Sequence, residues 1–161
     1  MSGTRTVFPE TVSAVTATNS ADVALGTLRF EADKVYAYVY NTGGAQALVG
    51  NAVRVSGLSD ISVTVTSTSQ IHVAFGVVQS ATLTTAAYGW VLKQGRNTFL
   101  ADANSSFAIG QGLILATDGA FGCATSIAGG TSTTIQICNV VGCALSAVAS
   151  AGSGLAYFRF L

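Results

Sequence analysis

From residue 26 onward, apolar and polar side chains alternate in short runs separated by glycine, serine, threonine and asparagine. In TLRFEADKVYAYVYNTGGA (27–45), Leu28 and Phe30 alternate with Arg29 and Glu31, and a turn falls at Ala32–Asp33. Val35, Ala37 and Val39 then alternate with Tyr36, Tyr38 and Tyr40. A period of two marks a β-strand, whose successive side chains point to opposite faces. The segment predicts two strands joined by a tight turn and ended by Asn41-Thr42-Gly43-Gly44, residues that accept turn backbone angles.

The same period recurs in DISVTVTSTSQIHVAFGVVQ (60–79), with Ile61, Val63 and Val65 inward and Ser62, Thr64 and Thr66 outward. A polar turn and a second strand carrying His72 follow. In AAYGWVLKQGRNTFLA (86–101), Tyr88, Trp90 and Leu92 share one face, and Lys93–Arg96 is expected to reverse the chain at Gly95, with residues 97–100 returning as a partner strand. TSIAGGTSTTIQIC (125–138) predicts a hairpin about Gly129–Gly130. The remainder predicts a strand, a small-residue turn region in which ALSAVASA also fits a short helical turn, and a closing strand over 155–161. Two stretches share a plan: ALVGNAVRV (47–55) and FAIGQGLIL (107–115) each run through a glycine turn into a fresh strand.

Many short strands with such punctuation predict an all-β fold, a compact sandwich or barrel of short antiparallel strands. Residues 25–161 read as one domain, and 1–24, rich in Ser, Thr and Ala around the only proline, as an extended N-terminal arm. A chain of 161 residues is long enough to bury about 70% of the surface its unfolded form exposes.

Charge changes the picture. Only 9% of the residues are charged, and seven Lys/Arg balance seven Asp/Glu, where about 25% charged is usual. Neutral, sparsely charged surfaces associate, so this exterior is either rich in small polar residues or covered by other chains. The basic residues are scattered, which excludes a nucleic-acid partner of the phosphate-binding kind. No basic start precedes an apolar core at the N-terminus, and no run of about 20 apolar residues occurs, so neither a secretory signal nor a membrane partner is expected.

Candidate chemistry is sparse. Cys123, Cys138 and Cys143 have neither disulfide-framework nor zinc spacing, and His72 is the only histidine. Glu31 and Asp33 flank a turn as a solvated edge, and the other acids are isolated. GQG at 110–112 lacks the third glycine of a dinucleotide site. No catalytic residue, cofactor or metal is predicted. The tyrosines 36, 38 and 40 form a ladder suited either to a contact surface or to packing on a neighbouring strand.

Three segments in order, GTLRFEADKVYAYVYNTGGAQALVGNAV, YGWVLKQGRNTFLADANSSFAIGQGLIL and VVGCALSAVASAGSGLAYFRFL, resemble the small head decoration or capsid cement proteins of tailed bacteriophages. The resemblance spans most of 26–161 and departs in the long arm and in an insertion-like stretch at 57–80. It implies a non-enzymatic virion protein, made in the host cytoplasm and bound to the outer surface of the assembled capsid. Its partners would be the major capsid protein and itself, as a homotrimer bridging neighbouring capsid subunits. On that reading Tyr36, Tyr38, Tyr40 and Trp90 are contact candidates, and the arm, with Arg5 and Phe8, reaches to the shell. The competing reading is a receptor- or carbohydrate-binding β-domain of a fibre or adhesin, with the same aromatics stacking on sugars.

Overall fold

A computed structural model describes residues 12, 15–16, 23–56, 61–65, 74–79, 81–123 and 140–160. Within these the chain is all-β: β1 (Leu28–Glu31), β2 (Lys34–Asn41), β3 (Ala52–Val55), β4 (Ser62–Val65), β5 (Ala74–Val78), β6 (Tyr88–Leu100), β7 (Gly112–Leu115), β8 (Phe121–Cys123), β9 (Gly142–Ala144) and β10 (Ser153–Arg159). Pairing runs β2-β4-β3-β5-β6 and returns from β6 to β2, so these five strands close a barrel. The β2–β4 pair is parallel, an exception to the antiparallel expectation. From β6 the ladder continues through β10, β9, β7 and β8, and Phe121 of β8 bridges back to Ala101, the residue after β6. A second ring of strands thus closes on the other end of the same strand. Closure satisfies backbone groups that an open sheet would leave at its edges.

The two rings are copies of one plan, the second about 60 residues after the first. Tyr40 pairs with Tyr88 as Leu100 pairs with Ser153. Val53 faces Gly76 and Val65 as Leu113 faces Gly142 and Cys123. The bridge Ala47–Leu83 repeats as Phe107–Val148. Hydrogen bonds repeat too: Gly50 N to Val78 O and Val78 N to Asn51 O reappear as Gly110 N to Ala144 O and Ala144 N to Gln111 O, all 2.8–2.9 Å. Gly76 and Gly142 hold matching positions because the next strand comes too close for a side chain. A Cβ would lie 2.8 Å from Leu92 O in one and 2.6 Å from Tyr157 O in the other.

One local unit launches the strands. A buried anchor (Val23, Ala47, Leu83, Phe107, Val148) precedes a tight turn whose residue three places on has positive φ: Gly26, Gly50, Ala86, Gly110, Ala151. The unit foreseen at 47–55 and 107–115 therefore occurs five times among the described residues. Two of the five place alanine where glycine is the easy residue.

The cores differ in volume. The first barrel is filled by Ala37, Val39, Val53, Val63, Val78 and Val91, closed by Ala47 and Leu83. At the matching positions the second has Phe99 for Val39, Phe107 for Ala47 and Phe121 for Val63. Phe99 meets Phe107 and Phe121 edge-on, at centroid distances of 4.9 and 6.2 Å, an arrangement that favours aromatic quadrupoles.

One expectation changes. Residues 93–96 do not reverse the chain: β6 runs unbroken for 13 residues through Gly95, whose φ of +120° is absorbed opposite the β1–β2 turn. Its first half pairs with β2 and its second with β10, so tertiary pairing overrides the turn composition of KQGR. ALSAVASA is no helix, since Val148 bridges Phe107 there. In the expected arm, Thr16 N donates to Tyr88 O at 3.0 Å and Tyr88 N to Thr16 O at 2.8 Å. Val12 and Val15 pack on the cores, and Val23 is buried as the first anchor. The hairpin about Gly129–Gly130 lies outside the described residues.

Matched positions should tolerate opposite changes badly. Phe121→Ala is expected to cost about 4 kcal/mol by leaving a cavity. Val63→Phe should cost about 3 kcal/mol by overpacking the smaller barrel. Urea unfolding of both variants measures this, and an undiminished midpoint in V63F would show that the first barrel is not filled.

Candidate interaction surface

The aromatic residues expected at a contact surface are mostly interior. Tyr36, Tyr38 and Trp90 are buried, and only Tyr40 is half-buried. Of the two uses open to the tyrosine ladder, packing on a neighbouring strand is the one seen within the chain. The period-two pattern placed the three tyrosines on one side of β2, and that side packs against β6: Tyr38 lies 5.1 Å from Trp90 and 6.2 Å from Tyr88, and Tyr40 4.5 Å from Tyr88, between centroids. Arg29 caps the cluster, its guanidinium 5.8 Å from the Trp90 ring. Burial pushes the Tyr36 phenol above its usual pKa. Arg5 and Phe8 lie outside the described residues, as do Cys138 and His72.

The exposed large apolar side chains are instead Leu28 and Phe30 on β1, Leu48 and Ile109 at the launching turns, Val140 and Leu145 around β9, and Leu155 and Tyr157 on β10. On β10 the alternation is regular: Ala156 and Phe158 point into the core, while Leu155, Tyr157 and Arg159 face outward. Val140, Cys143, Tyr157 and Arg159 border an open depression beside β9. Ile109 is 71% exposed, and nothing lies within 4 Å of a Cβ built on Gly110. The matching Gly50 is covered by Leu100, whose N–H donates to Gly50 O at 3.3 Å. One launching turn is thus roofed by β6 and its copy is open.

Among the described residues, no three His, Cys, Asp or Glu side chains gather as a metal site. No helix there is long and apolar enough to cross a membrane. Cys123 and Cys143 are free thiols, and burial pushes the Cys123 thiol up, away from the reactive thiolate. The described geometry offers packing surfaces and hydrogen-bonded turns.

The polar residue that matters most to this surface was read only as a strand end. Asn41 is fully buried. Its Nδ2 donates to Ala45 O and Leu83 O at 3.1 Å and to Thr84 O at 3.2 Å, and its Oδ1 accepts from Gly43 N at 3.0 Å. One side chain therefore ties the end of β2 to the launching turn of β6. Asn51 does related work, accepting from Leu48 N at 2.8 Å and donating to Asp118 O at 3.3 Å. Half-buried Lys93 on β6 holds its ammonium 4.0 Å from the Phe75 ring centroid. Burial lowers its pKa.

No protein family's sequence profile matches this chain, and no curated protein sequence matches it.

Three expectations follow from these side chains. Asn41→Ala strands three carbonyls and one N–H, and should cost about 3 kcal/mol. Asn41→Asp sets a carboxylate against those carbonyls, which raises its pKa in the folded chain above the unfolded value of about 4, so its deficit should be largest at neutral pH and shrink as the pH falls toward about 4, where the protonated acid donates. For Lys93, the folded chain releases its proton at lower pH than the unfolded chain, which holds it up to 10.5. The unfolded state binds more protons in that window, so the Lys93 contribution to stability rises with pH through it. Melting temperatures from about pH 8 to about pH 10 should climb less in K93M than in the parent; equal slopes would remove Lys93 as the cause.

Proposed function

We propose that the chain is a non-enzymatic structural protein of a phage virion that binds the outer surface of the assembled capsid and stabilises it, as a homotrimer bridging neighbouring capsid subunits. The observation that carries the proposal is the exterior: apolar side chains stand out from β1, the open launching turn and β10 on a body with few charges. Such a surface favours lateral contact over dispersal. Closed barrels with packed cores suit a protein whose task is mechanical, and many modest contacts repeated over a shell give high avidity. The partners are the major capsid protein and other copies of the chain. The competing carbohydrate-binding reading depended on an exposed aromatic face, and Tyr36, Tyr38 and Trp90 are buried.

Co-sedimentation with purified phage heads is the direct test. The full chain should bind and raise the temperature at which heads release DNA, and it should have a trimer's mass by light scattering. Deletion of residues 2–20 should lower occupancy if the arm reaches the shell, while unchanged occupancy would leave the arm without that role. A chain that stays monomeric and ignores heads would overturn the proposal.

A further inference from the structure

β1 inverts the usual arrangement of a surface strand. Its polar pair, Arg29 and Glu31, is ion-paired, and Arg29 lies over the buried Trp90, whereas Leu28 and Phe30 are 47% and 72% exposed. β1 is also the terminal strand of the sheet: it pairs with β2, and no other described strand pairs with it. The hairpin register shows where its backbone points. Tyr38 N donates to Thr27 O at 3.0 Å, and antiparallel pairs alternate between bonded and non-bonded, so Arg29–Tyr36 and Glu31–Lys34 are bonded pairs. The N–H and C=O of Leu28 and Phe30 therefore face the outer edge. Exposed apolar side chains and outward backbone groups coincide on the same two residues.

The matching hairpins show what such an edge accepts. β3 and β7, which follow launching turns like that before β1, each carry an antiparallel strand on the outer side, β4 on β3 and β8 on β7. Those strands belong to the long connections that follow β3 and β7, whereas β1 passes to β2 through Ala32–Asp33 alone.

We infer that the outer edge of β1 pairs antiparallel with β1 of a second copy, about a two-fold axis at Phe30. In that register Phe30 faces its own counterpart and the two exchange both backbone hydrogen bonds. Arg29 of each strand falls opposite Glu31 of the other in the non-bonded positions, where side chains approach most closely. The two intrachain ion pairs become a ring of four alternating charges. Charge complementarity thus selects a second copy in antiparallel orientation, because a parallel register would set Arg29 against Arg29. Two four-residue strands bury far less than the roughly 1,200 Å² of a stable complex. The contact is weak between free chains and gains force where copies are held near one another. It goes beyond the capsid proposal, does not depend on it and is distinct from the three-fold association.

Sedimentation velocity of the isolated full chain at several hundred micromolar, without heads, tests it. The parent should associate reversibly beyond its basal oligomer, and F30K, at an exposed side chain, should weaken that association at least tenfold with an unchanged melting temperature. R29E carries two acids on the strand and E31R two bases, so each alone should lose the association, and an equimolar mixture should regain it. No association in the parent, parent-like association in F30K, or a mixture no heavier than its components would overturn the inference. If F30K loses only binding to heads, the edge is covered by the shell subunit and the inference also fails.

Discussion

Backbone hydrogen bonding along Tyr88–Leu100 is the constraint on which both barrels depend. The first half of this strand completes one ring with β2 and β5, and the second half begins the other with β10. Gln94 is the point of exchange, paired with Val35 on one edge and Arg159 on the other. A strand with partners on both sides cannot end at Gly95 without opening two rings, which explains why a turn-like sequence is held extended. The cost of the unusual φ there is small for glycine, and the loss of either ladder would leave buried backbone groups unsatisfied.

Around that shared strand the repeated plan is kept in backbone and varied in volume. Gly76 and Gly142 are matched because main chain approaches main chain, a geometry that admits no side chain. Val39 and Phe99, or Val63 and Phe121, are matched in position while differing in size, because each barrel is packed on its own terms. The buried aromatics outside the first barrel, Tyr36, Tyr38 and Trp90, then pack with the phenylalanines of the second in one continuous cluster. The opening stretch of β6 thus has a mechanical explanation: Trp90 and Tyr88 pack against the tyrosines of β2 and join the two halves.

Much of this was legible from period-two alternation. The strands at 28–31 and 34–41, the turn between them and the all-β class follow from residues that have local consequences. The launching unit was visible at 47–55 and 107–115 because Gly50 and Gly110 mark it; at Ala86 and Ala151 nothing local announces the same backbone. Asn41 looked like punctuation, since two of its three carbonyl partners come from residues more than 40 positions away. Alternation also put the tyrosines on one face of a strand without saying which face is inside, and that depends on where β6 lies. The shared strand was missed for the same reason: KQGR has turn chemistry, and only pairing with Val35 and Arg159 outweighs it.

The alanines at two of the launching turns show how those corners are held. Gly26, Gly50 and Gly110 enter the left-handed region at no steric cost. At Ala86 and Ala151 the same conformation costs about 1 kcal/mol locally, and each N–H is held by a distant carbonyl, Asn41 O at 2.9 Å and Asp102 O at 3.2 Å. Those two corners are set by the partners they dock against. Each alanine corner therefore holds its shape only within the closed ring, like a hoop whose last joint is cut to fit.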